Sequence, residues 1–370
     1  MKNYIFIMVF EQRKEIIQKI ENLRNSKVIT YVVTSRPNIN TMMDRKDLRE
    51  FYRHLEAFSD NDVEKIDLFI YSHGGDSVVG WALVNLIREY SNKFAVLVPY
   101  SAFSCATSVA VGADEIVMSK LGTLGPIDPK VSNEFNPERN GAQIPISVED
   151  IGGYISLLKD KFDMRDEELL SKLAEILSKD VRPLALGNAY RQYIKAREDA
   201  RKLLELHMDP INDRNTIDRI IETLVEKLYS HSHHVNRKEA KNLGLKVQYS
   251  EEFKDENDNL SNLMWDLYLD YEAELQLSRP YVDELPEGTN TKCEIPTKYI
   301  ESVNNSSVFV IEQEWINKGF QEGAKVSNTN NGPGVFIPPS TLIPIPVRGQ
   351  LVQMNNLVYE KRETTYWKSV

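Results

Sequence analysis

The chain of 370 residues contains very little cysteine: Cys105 and Cys293 are its two examples. Two cysteines cannot build a disulfide framework, and no Cys-x-x-Cys pair suggests a zinc ribbon. This composition favours a reducing compartment, and we expect a cytoplasmic protein. No stretch of about 20 apolar residues is present, so no membrane-spanning helix is predicted. The sequence also lacks a Gly-x-Gly-x-x-Gly turn, so we expect no dinucleotide cofactor.

Basic residues are fewer than acidic ones, with 45 Lys and Arg against 55 Asp and Glu, for a net charge of −10. Most of this imbalance lies in residues 251–370, which hold 10 basic and 19 acidic residues, a net charge of −9. A nucleic-acid surface needs clustered Lys and Arg, so a nucleic-acid partner is not expected. The charge split predicts a domain over residues 1–250, followed by an acidic C-terminal module over 251–370.

The N-terminus begins MKNYIFIMVF and becomes charged at Glu11. Its apolar run, residues 4–10, is short for a secretory signal and far too short to span a membrane. We therefore expect a first strand or an amphipathic lead-in at this position. The alternative interpretation is a shallow, peripheral association with a membrane.

Strand-like and helix-like segments alternate through the first 118 residues. Strands are predicted at 28–34, 66–72, 94–99 and 115–118, and helices at 12–25, 46–58 and 105–113. A further helix is predicted after Asp76, with an apolar face formed by Val79, Ala82, Leu83, Leu86 and Ile87. Alternation in units of about 30 residues predicts parallel strand pairing and an α/β sheet covered by helices. In such sheets, functional residues gather in loops at the carboxyl ends of the strands.

The second half of the chain is predicted to be mostly helical from about residue 145 to 228. Residues 236–246 form a further predicted helix, which Gly244 ends as a left-handed cap. Acidic residues 251–290 carry interleaved aromatic side chains, and the last 70 residues contain short β-like runs broken by Asn, Gly and Pro. We interpret that last part as a small β-containing module.

Two strand-to-helix junctions carry residues that suggest chemistry. Gly74 and Gly75 follow a predicted strand, and glycines expose backbone N–H groups that can stabilise an oxyanion or hold a phosphate. Ser104 precedes a predicted helix, whose positive end favours an activated nucleophile. Each motif alone has a simpler explanation, because tight turns use glycine and helices commonly begin with a capping serine.

Four separated segments together carry a family resemblance. They are IDLFIYSHGGD at 66–76, VPYSAFSCAT at 98–107, GADEIVM at 112–118 and LGPIDP at 124–129. In this order they resemble the serine dehydrogenase proteinase family, which has the Clp protease/crotonase-like fold and is related to signal peptide peptidase A type enzymes. The resemblance spans roughly residues 12–246. It implies a Clp/crotonase-like ββα-type core with helical additions, and an ATP-independent serine peptidase that hydrolyses peptide bonds without metal or cofactor.

Carried over to this sequence, the resemblance makes Ser104 the nucleophile. Gly74 and Gly75 would then lie at the oxyanion hole, together with the backbone N–H of Cys105. The family usually has Ala-Gly after the serine, where this chain has Cys105-Ala106. That difference puts a thiol beside the serine and leaves Cys105 as an alternative nucleophile.

The general base is less apparent, because no histidine occupies the position that Clp-type peptidases use. Matching the helix that follows places His231 on a family histidine, which makes it the favoured base since its ordinary pKa is near neutral. Lys159 is the alternative, as the counterpart of the lysine used by signal peptide peptidase relatives. Asp128 is the carboxylate that could orient a base, although it could equally be a turn residue between two prolines.

Other histidines leave further alternatives open. His231 and His233 would share one face of an extended segment, a spacing that can bind zinc, but no clear third ligand accompanies them. His73 precedes the two glycines and could contact substrate.

The resemblance implies a peptide or protein substrate and a homo-oligomer, since the fold commonly forms trimers or larger rings. Two other functions remain as alternatives. One is a non-catalytic oligomeric scaffold, a pseudo-peptidase that has lost its base. The other is a crotonase-type enzyme whose two oxyanion amides bind an acyl-CoA thioester.

Overall fold

The computed structural model describes residues 2–58, 63–127, 130–131, 134–139, 142–144, 146–161, 167–227, 234–283, 291–320, 351–354 and 357–369. The helices are α1 (Lys2–Arg24), α2 (Asp47–Glu56), α3 (Ser77–Arg88), α4 (Cys105–Val111), α5 (Val148–Ser156), α6 (Glu167–Asp180), α7 (Pro183–Glu205), α8 (Arg214–Ile221), α9 (Arg237–Leu243) and α10 (Leu260–Leu275).

The strands of the first half are β1 (Lys27–Val33), β2 (Lys65–Tyr71), β3 (Lys93–Val98), β4 (Ser101–Ala102), β5 (Glu115–Met118), β6 (Thr123–Leu124), β7 (Lys130–Val131), β8 (Glu138–Arg139), β9 (Ala142–Gln143) and β10 (Ile146–Ser147). Those of the second half are β11 (Val235–Asn236), β12 (Val247–Tyr249), β13 (Thr291–Ser302), β14 (Asn305–Phe320), β15 (Leu351–Met354) and β16 (Leu357–Ser369). Short π-helical turns follow α5 and α8, and a 3₁₀ turn precedes α10.

The main sheet runs in the order β12-β5-β3-β2-β1-β13-β14-β16-β15. Strands β12, β5, β3, β2 and β1 pair in parallel, and the pairings from β1 to β15 are antiparallel. The predicted α/β fold with a parallel sheet is confirmed. Side chains of β1, β2 and β3 are almost entirely buried on both faces, as expected where helices cover both sides of a parallel sheet.

Two hydrophobic layers pack on opposite faces of this sheet. One layer contains apolar side chains of α2, α3, α4, α7 and α8, and the other contains those of α1 and α10. The sheet thus lies between two helical layers. In such a sheet a site is expected in the loops at the carboxyl ends of the parallel strands.

The N-terminus, where a first strand or an amphipathic lead-in was expected over residues 4–10, contains no strand. These residues belong to α1, a single helix that continues through the amphipathic stretch predicted at 12–25. The chain is helical here because Ile17 and Ile20 are buried against the sheet and hold α1 in place, and the apolar run continues that helix toward the N-terminus. Throughout the described ranges, we find no helix with the length and apolar character needed to cross a bilayer.

The acidic C-terminal region continues the main sheet across residue 250. β13 pairs antiparallel with β1, with Tyr31 opposite Ile300. Without this partner β1 would be an open edge strand with unpaired backbone groups. A buried ion pair reinforces the junction, since Arg13 Nε lies 2.7 Å from Oε2 of Glu301. The division at residue 250 stays a prediction, and it does not coincide with a break in the sheet.

The helices of the second half agree with their sequence patterns. α7 and α8 lie within the region predicted to be mostly helical from about residue 145 to 228, and α9 lies within 236–246. Gly244 ends α9 with φ of 102°, the left-handed conformation that the sequence indicated.

Candidate active site

A backbone ladder brings the glycine loop and the serine junction together. Ser72 follows β2 and forms a parallel bridge with Ala102 in β4. The N–H of Ser72 donates to the carbonyl of Ser101 at 3.1 Å, and the N–H of Phe103 donates to the carbonyl of Ser72 at 2.9 Å. The residues that follow each strand are therefore held side by side.

Gly74 lies directly against Ser104. A Cβ atom at position 74 would lie 2.7 Å from Cβ of Ser104 and 2.9 Å from the carbonyl oxygen of Phe103. Its φ of 102° is also one that side chains rarely adopt, so this turn requires glycine. The N–H of Gly74 donates to Oγ of Ser72 at 3.0 Å and is not available to a ligand.

Gly75 is held from the other side by the segment that precedes α2. The N–H of Met43 donates to the Gly74 carbonyl at 2.9 Å, and the N–H of Asp76 donates to the Met43 carbonyl at 3.0 Å. A Cβ atom at position 75 would lie 2.2 Å from the Met43 carbonyl oxygen, so the second glycine is needed for this close approach. In the described part of the chain, the N–H of Gly75 has no hydrogen-bond partner.

Ser104 has an unusual backbone conformation, with φ of 53° and ψ of −115°. Ser104 occupies the N-cap position of α4, but its side chain makes no capping hydrogen bond to the helix, so capping does not account for a serine here. Such a conformation costs on the order of 1–3 kcal/mol and persists where surrounding contacts impose it. Here it presents a half-buried hydroxyl at the junction of β4 and α4.

Cys105 offers its backbone but not its thiol. Its N–H opens α4 and, among the described residues, has no hydrogen-bond acceptor. Its thiol is buried and donates to the Asp76 carbonyl at 3.2 Å. Burial raises the pKa of the Cys105 thiol to about 12, so a nucleophilic thiolate is disfavoured at neutral pH. This geometry opposes the alternative in which Cys105 is the nucleophile.

Two histidines contact the aromatic ring of Phe103, the residue before the serine. The ring of His73 stacks on Phe103 with centroids 5.2 Å apart, and the ring of His234 lies 4.6 Å from Phe103. Burial, together with nearby His234, lowers the pKa of His73. An imidazole with a lowered pKa is neutral at pH 7 and can accept a proton.

His234 reaches this position through a small second sheet with the order β11-β6-β4. Val235 pairs with Leu124, which in turn pairs with Ala102. The sequence interpretation missed His234 because it selected His231 by matching helices. A sequence signal for this short strand was present: an apolar residue, Val235, is followed by a polar one, Asn236, directly before α9.

The remaining predicted site residues are His231, Asp128 and Lys159. His231 and Asp128 lie outside the described residues, so their predicted roles stay predictions. Lys159 is exposed in the π-helical turn after α5, and no hydrogen bond or ion pair among described residues joins it to Ser104. For the zinc alternative, His231 and His233 are likewise outside the described ranges, within which no group of three potential ligands occurs.

Taken together, a parallel α/β sheet, a close Gly-Gly loop and a serine on a strand-to-helix turn define the Clp/crotonase-like fold class. The family model described as ClpP-like SDH-type serine proteinase matches residues 2–141. The resemblance to the serine dehydrogenase proteinase family is thereby confirmed over that segment. At the level of the family, the match supports a serine peptidase.

Two proteins are similar in sequence to part of this chain. The uncharacterized protein MJ0137 of Methanocaldococcus jannaschii is 27% identical over 239 residues, which cover 56% of this chain and 82% of that protein. The uncharacterized protein MJ1495 of the same organism is 27% identical over 126 residues, covering 32% and 42%.

Two solved structures are also similar, both mutants of the 1510-N membrane-bound stomatin-specific protease. Each is 16% identical with a TM-score of 0.34 and covers 60% of this chain. The first match covers 80% of the solved chain, and the second, a complex with a substrate peptide, covers 75%.

Proposed function

We propose that the protein is a serine peptidase that forms an acyl-enzyme on Ser104. The observation that carries this proposal is the contact of Gly74 with Ser104, next to the backbone N–H groups of Gly75 and Cys105, which have no hydrogen-bond partner among the described residues. A strained serine beside unpaired amides is the arrangement that acyl transfer requires, because the nucleophile and the oxyanion donors must lie together.

In the proposed reaction, Oγ of Ser104 attacks the peptide carbonyl carbon while a base takes the hydroxyl proton. The carbonyl oxygen becomes an oxyanion and accepts hydrogen bonds from the N–H groups of Gly75 and Cys105. The C–N bond then breaks, and the leaving amine takes the proton from the base. Water repeats the attack on the ester, which releases the acid product and restores the Ser104 hydroxyl.

For the base, we propose an imidazole supplied by residues 231–234. His231 remains the favoured candidate from sequence, and His234 is the member of this segment that is placed beside Phe103. His73 is the other described imidazole near the serine, and its ring stacks on the same Phe103 ring. Lys159 remains a candidate in which an amine, rather than an imidazole, receives the proton.

The test is labelling of the full chain with a fluorophosphonate probe, followed by peptide mass spectrometry. We expect wild-type protein to carry the probe on Ser104 and the Ser104→Ala variant to carry none. Ser108→Ala is the matched control, because Ser108 lies one turn further along α4 and is also half-buried. Four further variants separate the base candidates: His231→Ala, His234→Ala, His73→Ala and Lys159→Ala. The true base variant should lose labelling by about 100-fold or more.

One observation favours a second candidate, a non-catalytic scaffold. Among the described residues, Oγ of Ser104 makes no hydrogen bond to an imidazole or an amine. Folded wild-type protein that resists the probe over a range of pH would favour the scaffold and overturn the peptidase. Homo-oligomeric assembly, a peptide or protein substrate and a cytoplasmic location, with or without peripheral membrane association, remain predictions in either case.

A further inference from the structure

A basic cleft lies beside α2, in a chain whose net charge is −10. The cleft has a volume of about 710 Å³. Its lining combines four cations with one carboxylate and one indole: Arg45, Lys46, Arg49, Arg53, Glu50 and Trp367. Four cations against one anion give this surface the opposite charge to the molecule as a whole, which favours an anionic ligand.

One end of this cleft adjoins the candidate active site. Nε of Arg45 lies 2.8 Å from Oδ2 of Asp76, and Asp76 is the residue directly after Gly75. Arg45 also belongs to the segment that leads from Met43 into α2, and Met43 is hydrogen-bonded to the glycine loop. A ligand bound along the cleft would therefore approach the oxyanion donors at the Arg45 end.

Two of the four cations lie in a row along α2. Arg49 and Arg53 are four residues apart on α2, which separates them by about 6 Å along the helix. In an extended peptide, side chains on the same face repeat about every 6.4–6.8 Å. Carboxylates at alternate positions of an extended peptide would thus match the row. A single phosphate group would instead need cations that converge on one point.

Part of this positive charge is already neutralised inside the protein. Arg45 pairs with Asp76, and Nη1 of Arg53 lies 2.9 Å from Oε2 of Glu50. Lys46 and Arg49 are exposed and form no ion pair within the described part of the chain. The positive charges of these two residues are therefore available to attract an anionic ligand. Arg49 is the better position for a test substitution, because it lies between the two paired arginines.

We propose that the cleft binds acidic side chains of an extended peptide substrate next to the bond that Ser104 would cleave. The inference rests on the proposed peptidase function, because it assigns the substrate class of that same site. The indole of Trp367 forms part of the wall and offers an apolar surface for the methylene groups of Glu side chains.

The experiment measures binding to the full-length Ser104→Ala protein, so that turnover plays no part. The probe is a fluorescein-labelled peptide of about 12 residues with Glu at alternate positions, compared with the same peptide carrying Gln. Fluorescence anisotropy is recorded at about 50 mM and 300 mM salt, which weakens exposed charge interactions. The cleft variant is Arg49→Glu, and the control is Arg214→Glu, an exposed cation in the first turn of α8.

We expect the Glu peptide to bind at least about tenfold more tightly than the Gln peptide at low salt, since several exposed ion pairs would each contribute modestly. Arg49→Glu should weaken binding by about tenfold or more, and Arg214→Glu should leave it within about twofold. Arg49→Glu should still fold, because an acidic residue in the first turn of a helix interacts favourably with the helix dipole.

Equal binding of the two peptides would overturn the inference, as would equal effects of the two variants. Displacement of the peptide by stoichiometric pyrophosphate would overturn it in favour of a phosphate site. The proposed function is tested separately by the fluorophosphonate probe. Selective binding of the Glu peptide without labelling of Ser104 would leave an acidic-peptide site on a protein that is not a serine peptidase.

Discussion

Gly74 and Ser104 are in contact through atoms that leave no room for a side chain at position 74. An added Cβ would lie 2.7 Å from Cβ and 3.1 Å from Oγ of the serine. The contact exists because Ser72, the residue after β2, pairs in parallel with Ala102 of β4. It joins the two motifs that the sequence indicated separately, and it makes the glycine loop sensitive to the smallest substitution.

We predict that Gly74→Ala abolishes fluorophosphonate labelling of Ser104. The added methyl group must displace Ser104 or the Phe103 carbonyl, and displacement of a reacting group by about 1 Å can cost on the order of 100-fold in rate. The substitution should also lower the free energy of unfolding by about 1–3 kcal/mol, because the φ of 102° disfavours alanine. Labelling rate and urea unfolding measure the two effects.

Gly187→Ala is the matched control for that substitution. Gly187 lies inside α7, and a Cβ there would meet nothing within 4 Å. Alanine at this helical position should stabilise by about 0.5–1 kcal/mol and leave labelling unchanged. A Gly74→Ala variant that labels as fast as Gly187→Ala would contradict the assigned geometry.

The second prediction concerns the buried ion pair between Lys298 on β13 and Asp47 at the start of α2. Nζ of Lys298 lies 2.9 Å from both carboxylate oxygens of Asp47. Lys298→Met should lower the free energy of unfolding by about 3–5 kcal/mol, because it leaves a buried carboxylate without its cation. Combining it with Asp47→Asn should recover part of the loss, as urea unfolding of the single and double variants would measure.

Lys292→Met provides the control on the same strand. Lys292 is exposed and pairs with Glu312 at 3.2 Å, where water screens the interaction. The urea midpoint for unfolding of the Lys292→Met variant should remain near that of the wild-type protein. If Lys298→Met and Lys292→Met behaved alike, the C-terminal strand would not be anchored to α2 through this pair.

The third prediction separates the two cysteines. Cys105 is buried with a raised thiol pKa of about 12, while Cys293 is half-buried on β13. Iodoacetamide at a pH of about 8 should modify Cys293 first and Cys105 only after unfolding, because the thiolate is the reactive form. Peptide mass spectrometry measures the order of modification.

Cys105→Ala should retain fluorophosphonate labelling, and a Cys105→Ala protein that lost labelling while still folded would restore the thiol as a candidate nucleophile.

The fourth prediction is a pH dependence of stability that comes from His54. The buried imidazole of His54 lies between two hydroxyls: its Nδ1 is 3.0 Å from Oγ of Ser302, and its Nε2 is 3.2 Å from Oγ of Ser307. Burial lowers the pKa of His54 to about 4. Between about pH 4 and 6.5 the unfolded chain binds this proton and the folded chain does not. Stability therefore rises with pH across that window, and by about 3 kcal/mol at most from this group.

His54→Gln removes this titration and keeps a polar side chain in the same place. The slope of unfolding free energy against pH, measured with urea between about pH 4 and 6.5, should be smaller in the variant by as much as about 1.4 kcal/mol per pH unit. At a pH above about 7 the two proteins should show no difference in slope. Identical slopes in the acidic window would show that His54 is not buried in its neutral form.

The sequence predicted the parallel half of the fold well, because its signals are local. Buried strands such as residues 66–72 are continuous apolar runs, and the helices beside them show regular apolar stripes. The cap at Gly244 was also predictable, since a left-handed residue at a helix end strongly favours glycine. Ser104 and the two glycines could be selected because each follows a strand that the pattern identifies.

The sequence alone thus determined the strand-and-helix alternation and the residues that stand at the strand ends, which are properties of short segments. The tertiary structure decided what those residues touch. The pairing of β13 with β1, the placement of His234 beside Phe103 and the burial of Lys298 against Asp47 all join segments that are distant in the chain. Such contacts depend on strand register and packing between elements, and no local pattern of residues encodes them.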